Sequence, residues 1–164
     1  MTEAPAGAAP VDSLLARSHE LGSDPRVTNY GGGNTSSKVS VSDPVTREAV
    51  EVLYVKGSGG DLGTLRPDGL ATLRLDRVRA LRGVYRGVDH EDEMVAAFDH
   101  CRWGTGGAAP SIDTAMHALV DAPHVDHLHP DAVIALAAAA DGEALTKDCY
   151  GRDLAWVRWR RPGF

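Results

Sequence analysis

A strand-like segment that ends in a cluster of glycines constrains the fold of this chain most. Residues 49–56 read AVEVLYVK, and four glycines follow within residues 57–63. Branched and aromatic side chains favour strands, and glycine permits the tight turns that end them. Residues 37–42, SKVSVS, alternate polar and apolar side chains and follow a second glycine run, Gly31–Gly33. The two patterns predict two strands of a sheet, each bounded by a loop where backbone can approach a ligand.

Helical patterns alternate with these strands along the chain. Apolar spacing or capping residues predict helices over residues 11–21, 90–101, 110–121 and 130–140. Residues 70–83, LATLRLDRVRALRG, begin with strand-like alternation and end with helical spacing. Residues 124–129, HVDHLH, predict a further short strand. This order predicts an α/β domain with a largely antiparallel sheet.

Three expectations concern the ends of the chain and its most apolar segment. Residues 1–11 are rich in small residues and proline and are expected to form a disordered leader, which assigns the domain to residues 12–164. Residues 132–140, AVIALAAAA, predict a buried helix. Residues 149–164, CYGRDLAWVRWRRPGF, predict a strand that leaves the sheet with its four arginines toward solvent. Because no cap or tail follows, the chain is expected to stop before its domain is complete.

Charge and composition exclude several functional classes. The net charge of -6 argues against nucleic acid as a partner, because such binders carry a basic face. No apolar run approaches the roughly 20 residues that a membrane span needs. The N-terminus lacks the basic and apolar regions of a signal peptide, and two cysteines are too few for a disulfide framework. We therefore expect a cytoplasmic globular protein that binds no membrane.

Two histidines form the most specific candidate for a metal site. His127 and His129 are two positions apart, so that in a regular strand both side chains lie on one face of the sheet. Neutral imidazoles there suit Zn²⁺ or a similar divalent metal. The alternative is a pair of unrelated imidazoles on a surface strand. His124 falls at odd spacing and is expected to be a surface residue.

Two loops and one helix supply the remaining candidate residues. The loops YGGGNTSSK, residues 30–38, and VKGSGGD, residues 55–61, combine glycines with polar side chains that can cradle a small anion. The alternative for each loop is a hairpin turn that carries polar side chains but binds no ligand. Asp113, in PSIDTAMH, can complement the dipole of its helix or act as a general base beside a metal-bound substrate. His117 lies on the same helical face and is able to reach Asp113.

The segments GGGNTSSK, VKGSGGDLGTL, PSIDTAMH and VDHLHP occur in an order that resembles the class II aldolase/adducin family. The similarity extends from about Leu14 to the C-terminus and is greatest to the aldolase half of bifunctional rhamnulose-1-phosphate aldolase/alcohol dehydrogenase proteins. It implies a three-layer α/β domain with a largely antiparallel central sheet, incomplete at the C-terminus of this chain. It also implies a zinc-dependent retro-aldol lyase that assembles as a homo-oligomer, a tetramer.

The resemblance implies a role for each candidate residue. Asp113 stands where the family has its proton-transfer residue, and His127 and His129 supply two zinc ligands. The substrate phosphate would be held by Gly33, Asn34, Ser36, Ser58, Gly59 and Ser111.

Two departures from the family pattern matter for activity. Asp113 replaces a glutamate of the simpler aldolases, and no histidine follows His129 to supply the third ligand. We therefore expect a weak metal site and low activity in this chain. The alternative is a non-catalytic binding or structural module, as in the adducin branch.

Overall fold

The computed structural model describes residues 8–164, which form six α-helices and four β-strands. The helices are α1 (Ala8–Gly22), α2 (Leu75–Ala80), α3 (Glu91–Ala97), α4 (Thr114–Leu119), α5 (Asp131–Ala138) and α6 (Gly142–Tyr150). The strands are β1 (Asn34–Ser42), β2 (Ala49–Lys56), β3 (Leu70–Arg74) and β4 (His124–His127). Short 3-10 helices span Leu62–Thr64, Pro67–Gly69, Leu81–Gly83, Val88–His90 and Phe98–Cys101.

The four strands form one antiparallel sheet in the order β3-β2-β1-β4. The register opposes Ser36 to Val55 and Asn34 to His127. The first residue of β1 therefore lies directly beside the last residue of β4. Two segments more than ninety residues apart in sequence meet at this corner of the sheet.

Helices cover both faces of the sheet, and apolar side chains of β2 and β3 are buried on each face. On one face, side chains of β2 and β3 pack against α2, α3 and α4 in a core that includes Leu53, Val55, Leu73, Val78 and Phe98. On the other face, Leu14 of α1 packs against Leu65 and Leu70. The predicted three-layer α/β domain with an antiparallel central sheet is thus confirmed.

Most of the local predictions agree with the structure. The two strand-like segments form β1 and β2, and residues 70–83 change from strand β3 to helix α2 within the predicted segment. The acidic segment near residue 91 forms α3, and residues 124–127 form β4.

Three local predictions need correction. Helix α1 begins at Ala8, so residues 8–11 of the predicted leader are helical, while residues 1–7 lie outside the described residues. Alanine favours helices and proline is tolerated in a first turn, which explains the earlier start. The apolar helix α5 is not buried, because it packs against α6 and not against the sheet, and Ile134 is 43% exposed.

The third correction concerns the C-terminal segment. No strand forms over residues 152–164, since β4 is followed by helices and this segment has no strand beside it to complete a ladder. Trp156 lies against Gly142, Trp159 is exposed, and Phe164 packs edge-on against Tyr85 and Phe98. Aromatic packing, not strand pairing, therefore holds this part of the chain.

Candidate active site

Asn34, at the corner where β1 meets β4, is the centre of the candidate site. Its Oδ1 lies 3.0 Å from Nδ1 of His127 and 3.1 Å from Nε2 of His117. Its Nδ2 donates to Oγ of Ser111 at 2.9 Å and to Oδ2 of Asp113 at 3.2 Å. A side-chain amide has two donors and two acceptor sites, and all four are used here. Because a carboxylate only accepts, Asp113 sets the orientation of the amide, and both histidines must donate to Oδ1.

This orientation assigns the tautomers of the two histidines. His117 donates from Nε2, and its Nδ1 accepts from Oγ of Ser36 at 2.7 Å. His127 donates from Nδ1, so that its Nε2 carries a lone pair, which accepts from Nε2 of His129 and is the atom able to bind a metal. His117 was expected to reach the carboxylate of Asp113, but its ring bonds Ser36 and Asn34.

The rings of His127 and His129 converge, although β4 ends at His127. Their Nε2 atoms are 3.1 Å apart, and the rings meet at an interplanar angle of 67°. Two nitrogens bound to one tetrahedral zinc at normal bond lengths are about 3.3 Å apart. The pair therefore fits two positions of a zinc site. Within residues 8–164, no group of three histidine, cysteine or acidic side chains is arranged to hold a metal.

Burial favours the neutral form of His117 and His127. Burial lowers the pKa of His127, an effect that Asp113 opposes and His129 reinforces. Burial likewise lowers the pKa of the fully buried His117 to about 4, with a further lowering by His127. Neutral imidazole is the form that binds divalent metals. Burial therefore favours the form of His127 that is able to bind a divalent cation.

A cleft of about 370 Å³ opens beside this cluster. Eight of the nine predicted site residues either line the cleft or contact a residue that does. The cleft is lined by seven of them: Gly33, Asn34, Ser58, Gly59, Ser111, Asp113 and His129. His127 joins it through its contact with His129.

Ser36 is the predicted substrate-binding residue that the structure separates from the cleft. Its side chain is fully buried, and its hydroxyl donates to Nδ1 of His117 at 2.7 Å, while the carbonyl oxygen of Val125 lies 3.4 Å away. Ser36 therefore holds the ring of His117 in place and does not line the cleft. His124, predicted to be a surface residue, is exposed and bonds Ser37.

Asp113 occupies the N-cap position of α4, but its side chain makes no capping hydrogen bond. Its carboxylate instead accepts from Asn34 and lies 3.7 Å from Nδ1 of His127. About a third of the side chain is exposed. A carboxylate at the cleft wall that is not engaged in capping is available to accept or donate a proton.

The two glycine loops offer fewer free backbone N–H groups than their composition suggests. Gly57 donates to Gly69, Ser58 donates to Ala109, and Gly32 donates to Asn29. Gly33 has a positive φ of 76°, and a Cβ there would lie 2.5 Å from the carbonyl oxygen of His127. The loops therefore bring polar side chains to the cleft and allow β1 to approach β4 closely.

Lys56 is a residue of the cleft that sequence reasoning missed. It ends β2, is 3% exposed, and lines the cleft. Its Nζ donates to the carbonyl oxygen of Gly59 at 2.9 Å. A lysine as the last residue of an apolar strand, directly before a glycine loop, was the available signal.

Comparison with known proteins identifies the family to which this chain belongs. Residues 13–164 match the family described as Class II Aldolase and Adducin N-terminal domain, so the chain belongs to this family. Its structure is similar to that of the N-terminal class II aldolase domain of a conserved protein from Thermoplasma acidophilum. That comparison has a TM-score of 0.82 and 27% identity, and covers 100% of this chain and 74% of the other.

The sequence also matches a particular longer protein, the uncharacterized oxidoreductase YuxG of Bacillus subtilis (strain 168). The two are 43% identical over 154 residues, which is 94% of this chain. The match covers 22% of the relative, so the chain spans about a fifth of that protein's length. No helix in the part of the chain that the structure describes is long and apolar enough to cross a membrane.

Proposed function

We propose that this domain is a metal-dependent aldolase that cleaves a ketose phosphate by a retro-aldol reaction. The observation that carries the proposal is the convergence of His127 and His129 beside Asp113 in a cleft of a class II aldolase family domain. Rhamnulose 1-phosphate is the substrate to test first, because the motif order resembles the aldolase half of the bifunctional proteins. Its products would be dihydroxyacetone phosphate and lactaldehyde.

Each residue of the cluster has a role in this proposal. A divalent ion such as Zn²⁺, bound by Nε2 of His127 and of His129, would act as a Lewis acid on the ketose carbonyl and hydroxyl. Asp113 transfers the proton to and from the substrate hydroxyl. Asn34 orients both Asp113 and His127, and Ser111 presents a hydroxyl to the substrate. Fixing the substrate against these groups lowers the entropic cost of reaching the reactive geometry.

The experiment is an aldol-cleavage assay with zinc-supplemented protein, in which dihydroxyacetone phosphate is detected enzymatically. We expect low but measurable cleavage that is abolished in His127→Ala and His129→Ala and strongly reduced in Asp113→Asn. His124→Ala is the matched control, because this exposed histidine belongs to the same strand and bonds Ser37. Cleavage that survives loss of both His127 and His129 would refute the proposal.

One observation favours a second candidate, a non-catalytic binding or structural module. Catalytic zinc commonly has three protein ligands, and residues 8–164 bring only two histidines together. Metal analysis separates the candidates. One bound zinc per chain, lost in the double variant His127→Ala/His129→Ala, supports the aldolase, whereas folded protein that binds no zinc and cleaves no ketose phosphate supports the module.

Family resemblance further supports a homo-oligomer, a tetramer, which sedimentation of the purified chain would measure.

A further inference from the structure

Ser36 and His117 are two fully buried polar side chains that do not line the cleft. Asn34 and Ser36 are two positions apart in β1, so their side chains lie on the same face of the sheet. The ring of His117, from α4, bonds both of them. Its Nε2 lies 3.1 Å from Oδ1 of Asn34, and its Nδ1 lies 2.7 Å from Oγ of Ser36. The buried pair therefore contacts the candidate site through the amide of Asn34.

The hydrogen bonds of this pair run in one direction. Oδ1 of Asn34 only accepts, so Nε2 of His117 carries the ring proton and its Nδ1 carries the lone pair. The hydroxyl of Ser36 donates to that lone pair at 2.7 Å, whereas the carbonyl oxygen of Val125, its other acceptor, lies 3.4 Å away. The hydroxyl of Ser36 therefore stabilises the tautomer of His117 that donates to Asn34.

The amide of Asn34 needs this second constraint because the first one is partly open to water. Asp113 orients the amide at 3.2 Å, but about a third of its side chain is exposed. The bond from His117 lies in the interior, where water does not compete with it. If the amide turned over, its Nδ2 would face the N–H group of His117, and His127 would lose the acceptor for Nδ1. His117 thus excludes the amide orientation in which His127 takes the other tautomer.

We propose that Ser36 and His117 are positioning residues for the candidate metal ligand His127. The hydroxyl of Ser36 fixes the tautomer of His117, and His117 fixes the amide of Asn34. The amide in turn keeps the lone pair of His127 on Nε2. The proposal rests on the proposed function only for the role of His127 as a metal ligand. It gives Ser36 a role other than the phosphate contact that the family resemblance implies.

The test compares variants of the full chain at the two positions, each with a matched control. Ser36→Ala removes the hydroxyl. Ser37→Ala is its control, because Ser37 is also a buried serine of β1 whose Oγ lies 3.0 Å from Nδ1 of a histidine, His124. His117→Met removes both ring nitrogens, whereas His117→Gln keeps a donor near the position of Nε2.

Two measurements separate a positioning role from a merely structural one. Nitrogen NMR shifts of the labelled imidazole rings in the metal-free protein report the tautomer of His127, with His127→Ala to assign its signals. Competition with a chelator reports zinc affinity. A structural role alone would lower the stability of both His117 variants without changing the tautomer of His127.

We expect His127 to adopt the Nδ1–H tautomer alone in the wild type, Ser37→Ala and His117→Gln, and a mixture of tautomers in Ser36→Ala and His117→Met. Zinc affinity should fall at least about threefold in Ser36→Ala and about tenfold in His117→Met, because an orienting partner is lost. It should stay within about twofold of the wild type in Ser37→Ala and His117→Gln.

The Nδ1–H tautomer alone in both Ser36→Ala and His117→Met would overturn the proposal, as would wild-type zinc affinity in both. If His117→Met does not fold, Ser36→Ala alone decides. A wild type that binds no zinc would refute the proposed function, and the tautomer of His127 would then decide the role of Ser36 and His117. Zinc binding without aldol cleavage would refute the proposed function and leave that role standing.

Discussion

A single amide organises the chemistry of this site at the scale of residues. Asn34 bonds two histidines, a serine and a carboxylate, and it is 4% exposed. Through these bonds it selects the tautomer of His127 that has its lone pair on Nε2. The same bonds hold the carboxylate of Asp113 at the cleft wall. Asn34 therefore positions both the candidate metal ligand and the candidate proton-transfer residue without itself being a ligand.

Replacing Asn34 should weaken metal binding. In Asn34→Ala the ring of His127 loses its orienting acceptor, and loss of such a partner typically lowers metal affinity by about 10–100-fold. Competition with a zinc chelator would measure the change. Asn29→Ala is the control, because the side chain of Asn29 is near the site but donates to the exposed carboxylate of Asp131. Equal zinc affinity in Asn34→Ala and the wild type would contradict the assigned tautomer.

His117 should make the stability of the metal-free protein depend on pH. Its pKa falls from 6.5 in the unfolded chain to about 4 in the folded protein, because of burial first, then His127 and Lys38, while Asp113 opposes the shift. The unfolded state therefore binds the proton more readily, and stability that is complete above pH 6.5 is lost as pH falls through 4. The loss is roughly 3 kcal/mol.

Chemical denaturation at pH 7 and pH 4 would measure this effect. The wild type should lose more unfolding free energy than His117→Gln over that range, by roughly 3 kcal/mol. His124→Gln, which replaces an exposed histidine of β4, should follow the wild type. Parallel pH profiles for the wild type and His117→Gln would show that His117 does not supply the dependence.

Sequence reasoning identified some of these residues and missed the contacts of others. His127 and His129 were predicted as metal ligands from their spacing and Asp113 as the proton-transfer residue from the family resemblance, and the structure brings the three side chains together. Ser36 was predicted to bind substrate, and Lys56 was not predicted as a cleft residue. The position of each side chain depends on the elements that lie beside its strand. Ser36 bonds His117, which is 81 positions away. A short sequence pattern does not show a contact between residues so far apart in the chain.

At the scale of elements, the contact between β1 and β4 is what assembles the site. It opposes Asn34 to His127 and requires the chain before β1 to pass close to the end of β4. Gly33 makes this approach possible, since a Cβ would lie 2.5 Å from the carbonyl oxygen of His127. The alternation of β1 predicted a strand correctly, but pairing with β4 follows from tertiary packing and not from the pattern.

Gly33→Ala should therefore disturb the site more than a matched glycine change nearby. Gly31 has a similar φ of 72°, but a Cβ there meets no atom within 4 Å. Gly31→Ala should cost about 1 kcal/mol of unfolding free energy, from the left-handed backbone alone. Gly33→Ala should cost at least about 1 kcal/mol more and also lower zinc affinity. Thermal melts would measure the change in stability, and zinc titration would measure the change in affinity. Equal effects of the two substitutions would contradict the role assigned to Gly33.

At the scale of the whole molecule, the three-layer core and the C-terminal helices differ in how they are held. The α/β class and its antiparallel sheet could be predicted, because strand alternation and helix spacing are local. The exposure of α5 could not be predicted, because the sequence AVIALAAAA is the same whether or not other helices or strands cover it. Helices α5 and α6 pack mainly on each other, with Gly142 and Thr146 as their buried residues.

Hydrogen exchange should reveal this difference in the purified chain. Amides of β1 and β2, in the centre of the sheet, should exchange only through global unfolding, because both faces of β2 are buried against helices. Amides of α5 and α6 should exchange through local opening, at least about 100-fold faster under native conditions, since few buried apolar contacts oppose their separation.

Mass spectrometry of peptic peptides would compare residues 34–56 with residues 131–150. Addition of zinc should slow exchange in β4 and leave α6 unchanged, because His127 ends β4, whereas α6 packs mainly on α5. Equal protection of the two segments without metal would mean that α5 and α6 unfold cooperatively with the sheet.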